Sequence, residues 1–414
     1  MEYGLIGERL SHSFSKEIHG KIFDYPYELC ELSPAELSGF FKKREFSAIN
    51  VTIPYKQAVI PLLDEVDPAA KKIGAVNTVI KRDGRLIGYN TDYLGLRALI
   101  EKSGVSLSRK KVLILGSGGT SRTAAVVCES LSAGEIYRVS RTAGEITISY
   151  DEAYEKHSDA EVIINTTPCG MFPQNGTAAV DISRFPALLC VFDAVYNPLR
   201  SALVLAAKRR GIVAEGGLYM LVAQAVFAAE LFTGKTLPAG TIDSVYREIL
   251  GEKQNLVLIG MPGSGKTTLG KMAAKELGFS FADTDVVITE KTGKTPAEII
   301  NAEGEQAFRD IEEKVIAEVS ASQSRVIATG GGAVLREQNR DALKANGRVI
   351  FLDRKLEHLE VTADRPLSSD REKLQARYRE RYPIYTAAAD ARIECEYSKD
   401  RNVLKIKEAF FNEN

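Results

Sequence analysis

One pattern occurs twice in this 414-residue chain and limits its fold more than any other feature. It is a short apolar run that ends in a glycine-rich turn and leads into a helical periodicity. The first copy is Lys111-Val-Leu-Ile-Leu-Gly116 and the second is Asn255-Leu-Val-Leu-Ile-Gly260. A run that is apolar on both faces and closed by glycine is expected to be a strand of a parallel sheet covered on both sides. Each copy therefore opens a βαβ unit, and the chain reads as α/β with two nucleotide-type domains.

The length fits two or three domains at about 150 residues each. Residues 1–100 alternate strands (Tyr3–Gly7, Ala48–Thr52, Ala75–Ile80) with helical stretches and form a separate lobe. Residues 101–235 form a dinucleotide-type Rossmann lobe, and 236–250 return to the first lobe as a helix. The polar stretch 251–254 reads as a linker, and 255–414 as the second nucleotide domain. Hydrophobic residues at 44% and charged residues at 26% exclude wholesale disorder. With 54 Lys+Arg against 55 Asp+Glu, no global field favours nucleic acid or a membrane surface. No apolar run nears the ~20 residues of a membrane span. The N-terminus shows no basic region followed by an apolar one, and the five cysteines contain no CxxC pair. A reducing, cytoplasmic setting is expected, without disulfides and without a metal site made of protein ligands alone.

Gly116-Ser-Gly118-Gly119-Thr-Ser121-Arg122 lets a backbone approach a pyrophosphate at a helix start, although Ser121 stands where the pattern has its third glycine. At the end of the next strand stands Ser140-Arg141-Thr142. An acidic residue there would hold ribose hydroxyls. A cation suits the 2′-phosphate of NADP instead. Alone, Arg141 also reads as a solvated surface charge. Gly260-Met-Pro-Gly263-Ser264-Gly265-Lys266-Thr267 fulfils the P-loop pattern in full, after a strand and before a helix. Its backbone N–H groups, continued by Thr268, would cradle ATP phosphates; Lys266 would reach the β/γ oxygens, and Thr267 would ligate Mg²⁺.

The N-terminal lobe carries hydroxyls, amides and one ammonium: Ser11-His-Ser13-Phe-Ser15, Asn50-Val-Thr52-Ile-Pro-Tyr-Lys56, Asn77, and Asn90-Thr91-Asp92. Such groups suit a small polyol acid, though Ser13 and Ser15 equally read as helix caps. With Asn165-Thr-Thr-Pro168, Asp193-Ala-Val-Tyr196 and Gly216 to Gln224, these blocks stand in the order seen in shikimate dehydrogenases. The resemblance spans roughly residues 1–250. It implies that Ser13, Ser15, Thr52, Asn77, Tyr196 and Gln224 hold the substrate. It implies Lys56 and Asp92 as the catalytic pair, and Gly116, Gly118, Gly119, Ser121 and Arg141 as cofactor contacts. Lys56 would give a proton to the alkoxide formed when hydride reaches a ketone. Asp92 would orient Lys56.

Downstream of the P-loop stand Asp283-Thr-Asp285, Phe308-Arg309-Asp-Ile-Glu312, Thr329-Gly-Gly331-Gly332, Asp364-Arg365-Pro-Leu367 and Arg381-Tyr-Pro383. In this order they resemble shikimate kinases, over about 255–395. The resemblance implies that Asp285, Arg309, Gly331, Gly332 and Arg381 bind shikimate, the arginines gripping its carboxylate. Asp283 would serve Mg²⁺, Asp285 would also meet the reacting hydroxyl, and Arg365 would cover the transferring phosphoryl group. The stretch between Arg365 and Arg381 is short for the family's lid.

Both halves thus point to one metabolite. The expected architecture is a two-lobed dehydrogenase with a Rossmann lobe, followed by a P-loop α/β domain of the nucleoside-monophosphate-kinase type. The expected activities are NADPH-dependent reduction of 3-dehydroshikimate and ATP-dependent phosphorylation of shikimate, in the pathway to aromatic amino acids. The rival readings are a non-catalytic binding remnant in one half, which the retained Lys56, Asp92, Lys266, Asp283, Asp285 and Arg365 oppose, and a quinate-tolerant, NAD-using dehydrogenase, which Arg141 opposes.

Overall fold

The computed structural model describes residues 1–10, 13–174, 176–359 and 371–412. It divides into two compact units, Met1–Ile249 and Leu250–Asn414.

The first unit holds two six-stranded sheets. In the N-terminal sheet the strands are β1 (Tyr3–Gly7), β2 (Tyr27–Glu31), β3 (Ala48–Val51), β4 (Glu65–Val66), β5 (Thr78–Arg82) and β6 (Arg85–Tyr89), ordered β2-β1-β3-β5-β6-β4. Asp83-Gly84 supplies the two positive-φ residues (51° and 75°) that turn β5 back into antiparallel β6. Its helices are α1 (Ser15–Ile22), α2 (Pro34–Lys43), α3 (Pro68–Ile73) and α4 (Thr91–Lys102). Capping is local chemistry: Ser33 and Glu36 close a capping box on α2, and Asp67 accepts from the N–H groups of Ala69 and Ala70 on α3.

The second sheet is wholly parallel. Its strands are β7 (Val112–Leu115), β8 (Ile136–Ser140), β9 (Ile148–Ser149), β10 (Val162–Asn165), β11 (Cys190–Asp193) and β12 (Val213–Glu215), ordered β12-β11-β10-β7-β8-β9. The strand order reverses at β7, so a crevice opens at the carboxyl ends of β7 and β10. The β7 side chains are fully buried. At about 1.5–3 kcal/mol for each large apolar side chain taken from water, strands of this kind dominate the lobe's stability.

Helices α5 (Gly119–Ser130), α6 (Tyr150–Lys156), α7 (Ala202–Arg209), α8 (Leu218–Thr233) and α9 (Thr241–Lys253) complete the first half. The nearly all-apolar α8 packs on α4 and also reaches α1, β3 and β5, so it belongs to the seam between the two sheets. Gly95 makes the α4–α8 contact close. A Cβ there would lie 2.6 Å from the Met220 carbonyl oxygen and 3.0 Å from the Gln224 Cβ. From α9, Ile242 and Tyr246 pack on the core beneath the second sheet, while Glu248 pairs with Lys21 of α1 at 3.4 Å.

The second unit has a five-stranded parallel sheet. Its strands are β13 (Asn255–Ile259), β14 (Ser280–Asp283), β15 (Arg325–Ala328), β16 (Gly347–Asp353) and β17 (Ala391–Glu394), ordered β14-β15-β13-β16-β17. Around it lie α10 (Lys266–Leu277), α11 (Thr284–Thr292), α12 (Pro296–Glu303), α13 (Glu305–Ala321), α14 (Glu337–Asn346), α15 (Arg371–Ala388) and α16 (Lys399–Phe411). No helix of the described residues is long and apolar enough to cross a membrane.

Two local expectations need correction. The stretch 251–254 is not an extended linker: α9 runs through Lys253, and the Gln254 N–H still donates to the Leu250 carbonyl at 2.9 Å. Glu and Lys are good helix formers, and Gly251 lies against the Phe411 ring, where a larger side chain would crowd it. The strand expected from Ala75 begins only at Thr78. Ala75–Asn77 are a buried loop instead, which turns Asn77 toward α4.

Candidate active sites

In the first unit, the segment after β3 is pinned by the Val76 N–H, which donates to the Lys56 carbonyl at 2.7 Å. Lys56 then extends to Asp92 in the first turn of α4, with Nζ and Oδ2 2.6 Å apart. Both side chains keep some exposure, 23% and 14%, so the pair is reachable from solvent. Behind it runs a buried neutral network. The Tyr27 hydroxyl donates to Asn50 Oδ1 at 2.8 Å, and Asn50 Nδ2 donates to Thr78 Oγ1 at 3.1 Å. Asn77 and Thr91 exchange two bonds: Thr91 N–H to Asn77 Oδ1 at 2.7 Å, and Asn77 Nδ2 to Thr91 Oγ1 at 3.1 Å. Thr91 Oγ1 in turn donates to Gln224 Oε1 on α8 at 3.4 Å. Lys56, Asp92, Asn77 and Gln224 are thereby gathered around the start of α4.

The serine loop forms a second cluster. Ser13 Oγ donates to Ser15 Oγ at 3.1 Å and accepts from the Ser15 N–H at 3.2 Å. Phe14 between them meets Tyr196 edge-on, ring centres 5.3 Å apart, bringing the loop to the residue that follows β11. Burial pushes the Tyr196 hydroxyl pKa up, so it stays a proton-bearing donor. Thr52 is half-buried just past β3, its N–H donating to the Ile6 carbonyl at 2.9 Å. No direct bond joins the serine pair to Lys56 or Asp92 among the described residues. Asn50 and Thr91 belong to the site's frame, yet as isolated motif letters they had no assigned role.

At the dinucleotide loop, Gly116 has φ +119°, and a Cβ there would meet Thr166 Oγ1 at 2.7 Å. Gly118 and Gly119 differ: a Cβ on either would meet nothing within 4 Å. Their openness leaves room for a ligand's backbone approach, at the start of α5, which no side chain caps. Ser121 is not an open cofactor contact. It is buried, its hydroxyl donating to the Gly116 carbonyl at 2.7 Å and accepting from Arg138 Nε at 2.8 Å. A small hydroxyl in place of glycine thus ties the loop together. Arg141 is exposed just past β8.

In the second unit, the P-loop curls tightly after β13. Gly260, Gly263 and Gly265 have φ of 144°, 82° and 99°, a region favouring glycine. Lys266 is buried, with Nζ donating to the carbonyls of Gly260 and Met261 at 2.8 and 2.9 Å. Ser264 Oγ is buried and has no partner among the described residues. Thr267 Oγ1 donates to Asp283 Oδ2 at 2.6 Å, and Asp283 Oδ1 accepts from the Asp285 N–H at 3.1 Å. A hydroxyl and a carboxylate side by side at a phosphate loop are the hard oxygen donors that Mg²⁺ takes. A cavity of about 840 Å³ joins this loop, including Thr268, to Asp285, Arg309, Gly331, Gly332 and Arg381.

The far end of that cavity is built on α13. Arg309 donates to Glu312 Oε2 at 2.7 Å and to Glu305 Oε1 at 2.8 Å. Glu312 is fully buried, and its Oε1 has no partner among the described residues. Burial pushes the Glu312 carboxyl above its usual range, with Arg309 opposing the shift. The glycines are spacing devices: a Cβ on Gly330 would meet Asp285 Oδ1 and Glu312 Oε1 at 2.9 Å, and one on Gly332 would collide with the Arg309 guanidinium. Tyr385 donates its hydroxyl to the Gly331 carbonyl. Arg381 is buried on α15, and its Nε has no partner among the described residues. Arg365 lies outside the described residues. Sequence reasoning missed Glu312 and the cavity-lining Arg354 and Arg377; Glu312 was visible only as a carboxylate three residues beyond Arg309.

Comparison with known proteins bears on the family of each half. The family profile described as shikimate dehydrogenase substrate binding domain matches residues 5–79, and that described as shikimate kinase matches residues 262–410. The chain is 36% identical over 265 residues to the shikimate dehydrogenase (NADP(+)) of Clostridium perfringens, covering 60% of this chain and 97% of the relative. Shikimate dehydrogenase 1 from Peptoclostridium difficile is similar in structure, with TM-score 0.56 and 33% identity, over 60% of this chain and 98% of that one. The shikimate 5-dehydrogenase from Thermus thermophilus, solved in complex with NADP(H) and shikimate, aligns with TM-score 0.55 and 28% identity over 60% of this chain and 99% of its own. The chain therefore belongs to the shikimate dehydrogenase family and carries a shikimate kinase domain in its C-terminal part.

Proposed function

We propose that this chain catalyses two consecutive steps on one metabolite in the cytoplasm: NADPH-dependent reduction of 3-dehydroshikimate to shikimate, then ATP-dependent phosphorylation of the hydroxyl just formed. The observation that carries the first step is the Lys56–Asp92 pair, 2.6 Å apart and partly open to solvent. Reduced nicotinamide supplies the hydride. Lys56 Nζ stabilises the oxygen as charge develops there and gives it a proton, while Asp92 keeps the ammonium in place. Asn77 and Gln224, braced by Thr91, face the substrate's hydroxyls, and Ser13, Ser15, Thr52 and Tyr196 close the rest of the pocket. Gly116, Gly118 and Gly119 admit the pyrophosphate, and Arg141 meets the 2′-phosphate.

The second step rests on the cavity that joins the P-loop to Asp285, Arg309 and Arg381. Gly263, Ser264, Gly265 and Thr268 wrap the ATP phosphates, and Lys266 exchanges its carbonyl partners for phosphate oxygens. Thr267 and Asp283 would hold Mg²⁺, which neutralises phosphate charge when bound. Asp285 accepts the proton of the attacking hydroxyl. Arg309 and Arg381 take the carboxylate of shikimate, beside Gly331 and Gly332, and Arg365 covers the phosphoryl group. The test uses the intact chain with 3-dehydroshikimate, NADPH, ATP and Mg²⁺, following nicotinamide absorbance and ADP together. ADP release that starts only as NADPH is consumed is the expected result. NADPH oxidation without ADP, even after added shikimate, overturns the kinase half; no oxidation overturns the dehydrogenase half.

A further inference from the structure

We propose that Arg138 is a second cation of the dinucleotide's 2′-phosphate site and helps set the choice of NADPH over NADH. This rests on the reading of the first half as an NADP(H) enzyme. Arg138 and Ser140 lie two residues apart on β8, so their side chains share a face. Ser140, a short residue, stands between Arg138 and the carboxyl end of the strand. There the guanidinium is fixed: Nε donates to Ser121 Oγ at 2.8 Å and Nη2 to the Ser117 carbonyl at 2.9 Å. Ser117 is exposed and precedes Gly118 and Gly119, the glycines with open space beside them. The same edge of the sheet carries Arg141 on the turn just past β8.

These bonds use Nε and one hydrogen of Nη2, leaving Nη1 and the other Nη2 hydrogen to donate. Among the described residues no carboxylate pairs with Arg138; the charged group that acts on it is Arg122, in the first turn of α5. Burial and that like charge both make the guanidinium less comfortable as a cation. Two cations drawn together at a phosphate-binding loop repel, and an arriving dianion relieves the repulsion. NADPH brings such a group on its ribose, whereas NADH offers a hydroxyl. Arg141 is a surface side chain that must be ordered on binding. Arg138 is already held by two hydrogen bonds, so less conformational freedom is lost when it takes a phosphate.

The test compares kcat/KM for NADPH and for NADH in the full-length chain and its Arg138→Met variant, at saturating 3-dehydroshikimate. Loss of a charge-assisted contact to phosphate should cut the NADPH-to-NADH ratio by roughly 10–100-fold. Arg138→Lys, which keeps the charge and loses the fork, should restore part of the ratio. A parallel fall with both cofactors would mean that Arg138 only braces the loop through Ser117 and Ser121, and the proposal is wrong. If the methionine variant does not fold, inhibition by 2′,5′-ADP and by 5′-AMP decides. The unmodified chain should favour 2′,5′-ADP, and Arg138→Lys should narrow the difference; an unchanged difference overturns the role. No preference for NADPH in the unmodified chain removes the underlying reading instead.

Discussion

Around Lys56 the first half sets a single ion pair among neutral amides and hydroxyls, whereas around Arg309 the second half sets guanidinium groups beside carboxylates in one cavity, with Glu312 fully buried. The difference follows from the chemistry each must perform. Reduction of a ketone creates one developing negative charge, so one well-placed cation is enough. The rest of the pocket can be neutral, and its hydrogen bonds cost little to bury once they are satisfied. Phosphoryl transfer brings a polyphosphate against a carboxylate-bearing acceptor, so fixed cations are needed at both ends. A buried cation also needs partners from the chain itself, because an unpaired buried charge is expensive. Glu305 and Glu312 are those partners for Arg309.

Breaking the second site should have the largest effect. Asp285→Asn keeps the shape and removes the proton acceptor, so shikimate phosphorylation should fall by roughly 10³–10⁴-fold while ATP still binds. A radiometric or coupled ADP assay measures the turnover and nucleotide titration the binding; near-normal turnover would remove Asp285 from its role. Breaking the first site comes next. Lys56→Ala should lower the dehydrogenase kcat by about 10²–10⁴-fold with a smaller change in KM, and leave ADP production from added shikimate intact. A loss seen mainly in KM would make Lys56 a binding group and erase the contrast drawn above. The smallest change sharpens the contrast. Arg309→Lys retains a charge but cannot fork between Glu305, Glu312 and a substrate carboxylate, so KM for shikimate should rise by about 10-fold with kcat less affected. The dehydrogenase KM for 3-dehydroshikimate measured in the same variant should not move.

Legibility in the sequence followed spacing. The P-loop and the strand before it are contiguous, and Lys56 and Asp92 each end a recognisable block, so these positions could be read off directly. Glu312 could not be, because an acid three residues after an arginine on a helix is the ordinary pattern of a surface pair. Only burial behind Gly330 distinguishes it. Asn50 and Thr91 were visible as letters, but their function arises when β3, β5 and α4 converge, which no local pattern encodes. Ser121 misled for a related reason. A residue in a cofactor motif can serve the loop itself, and its hydroxyl bonds to Gly116 and Arg138 decide this. The helical end at 251–253 was hidden by composition, since polar residues serve an exposed helix as well as a linker.

For stability engineering, Gly95 is a special case. Replacing helical glycine by alanine is a common way to strengthen a protein, because it removes backbone freedom from the unfolded chain and gains about 0.4–1 kcal/mol where the geometry allows. Here the added carbon would press on the α8 backbone at Met220 and on Gln224 itself. The helix that carries Asp92 therefore retains a weak helix former, and the short distance it permits lets Thr91 reach Gln224. Alanine at this position should therefore lower thermal stability and turnover together, although residue 95 has no side chain to offer a ligand.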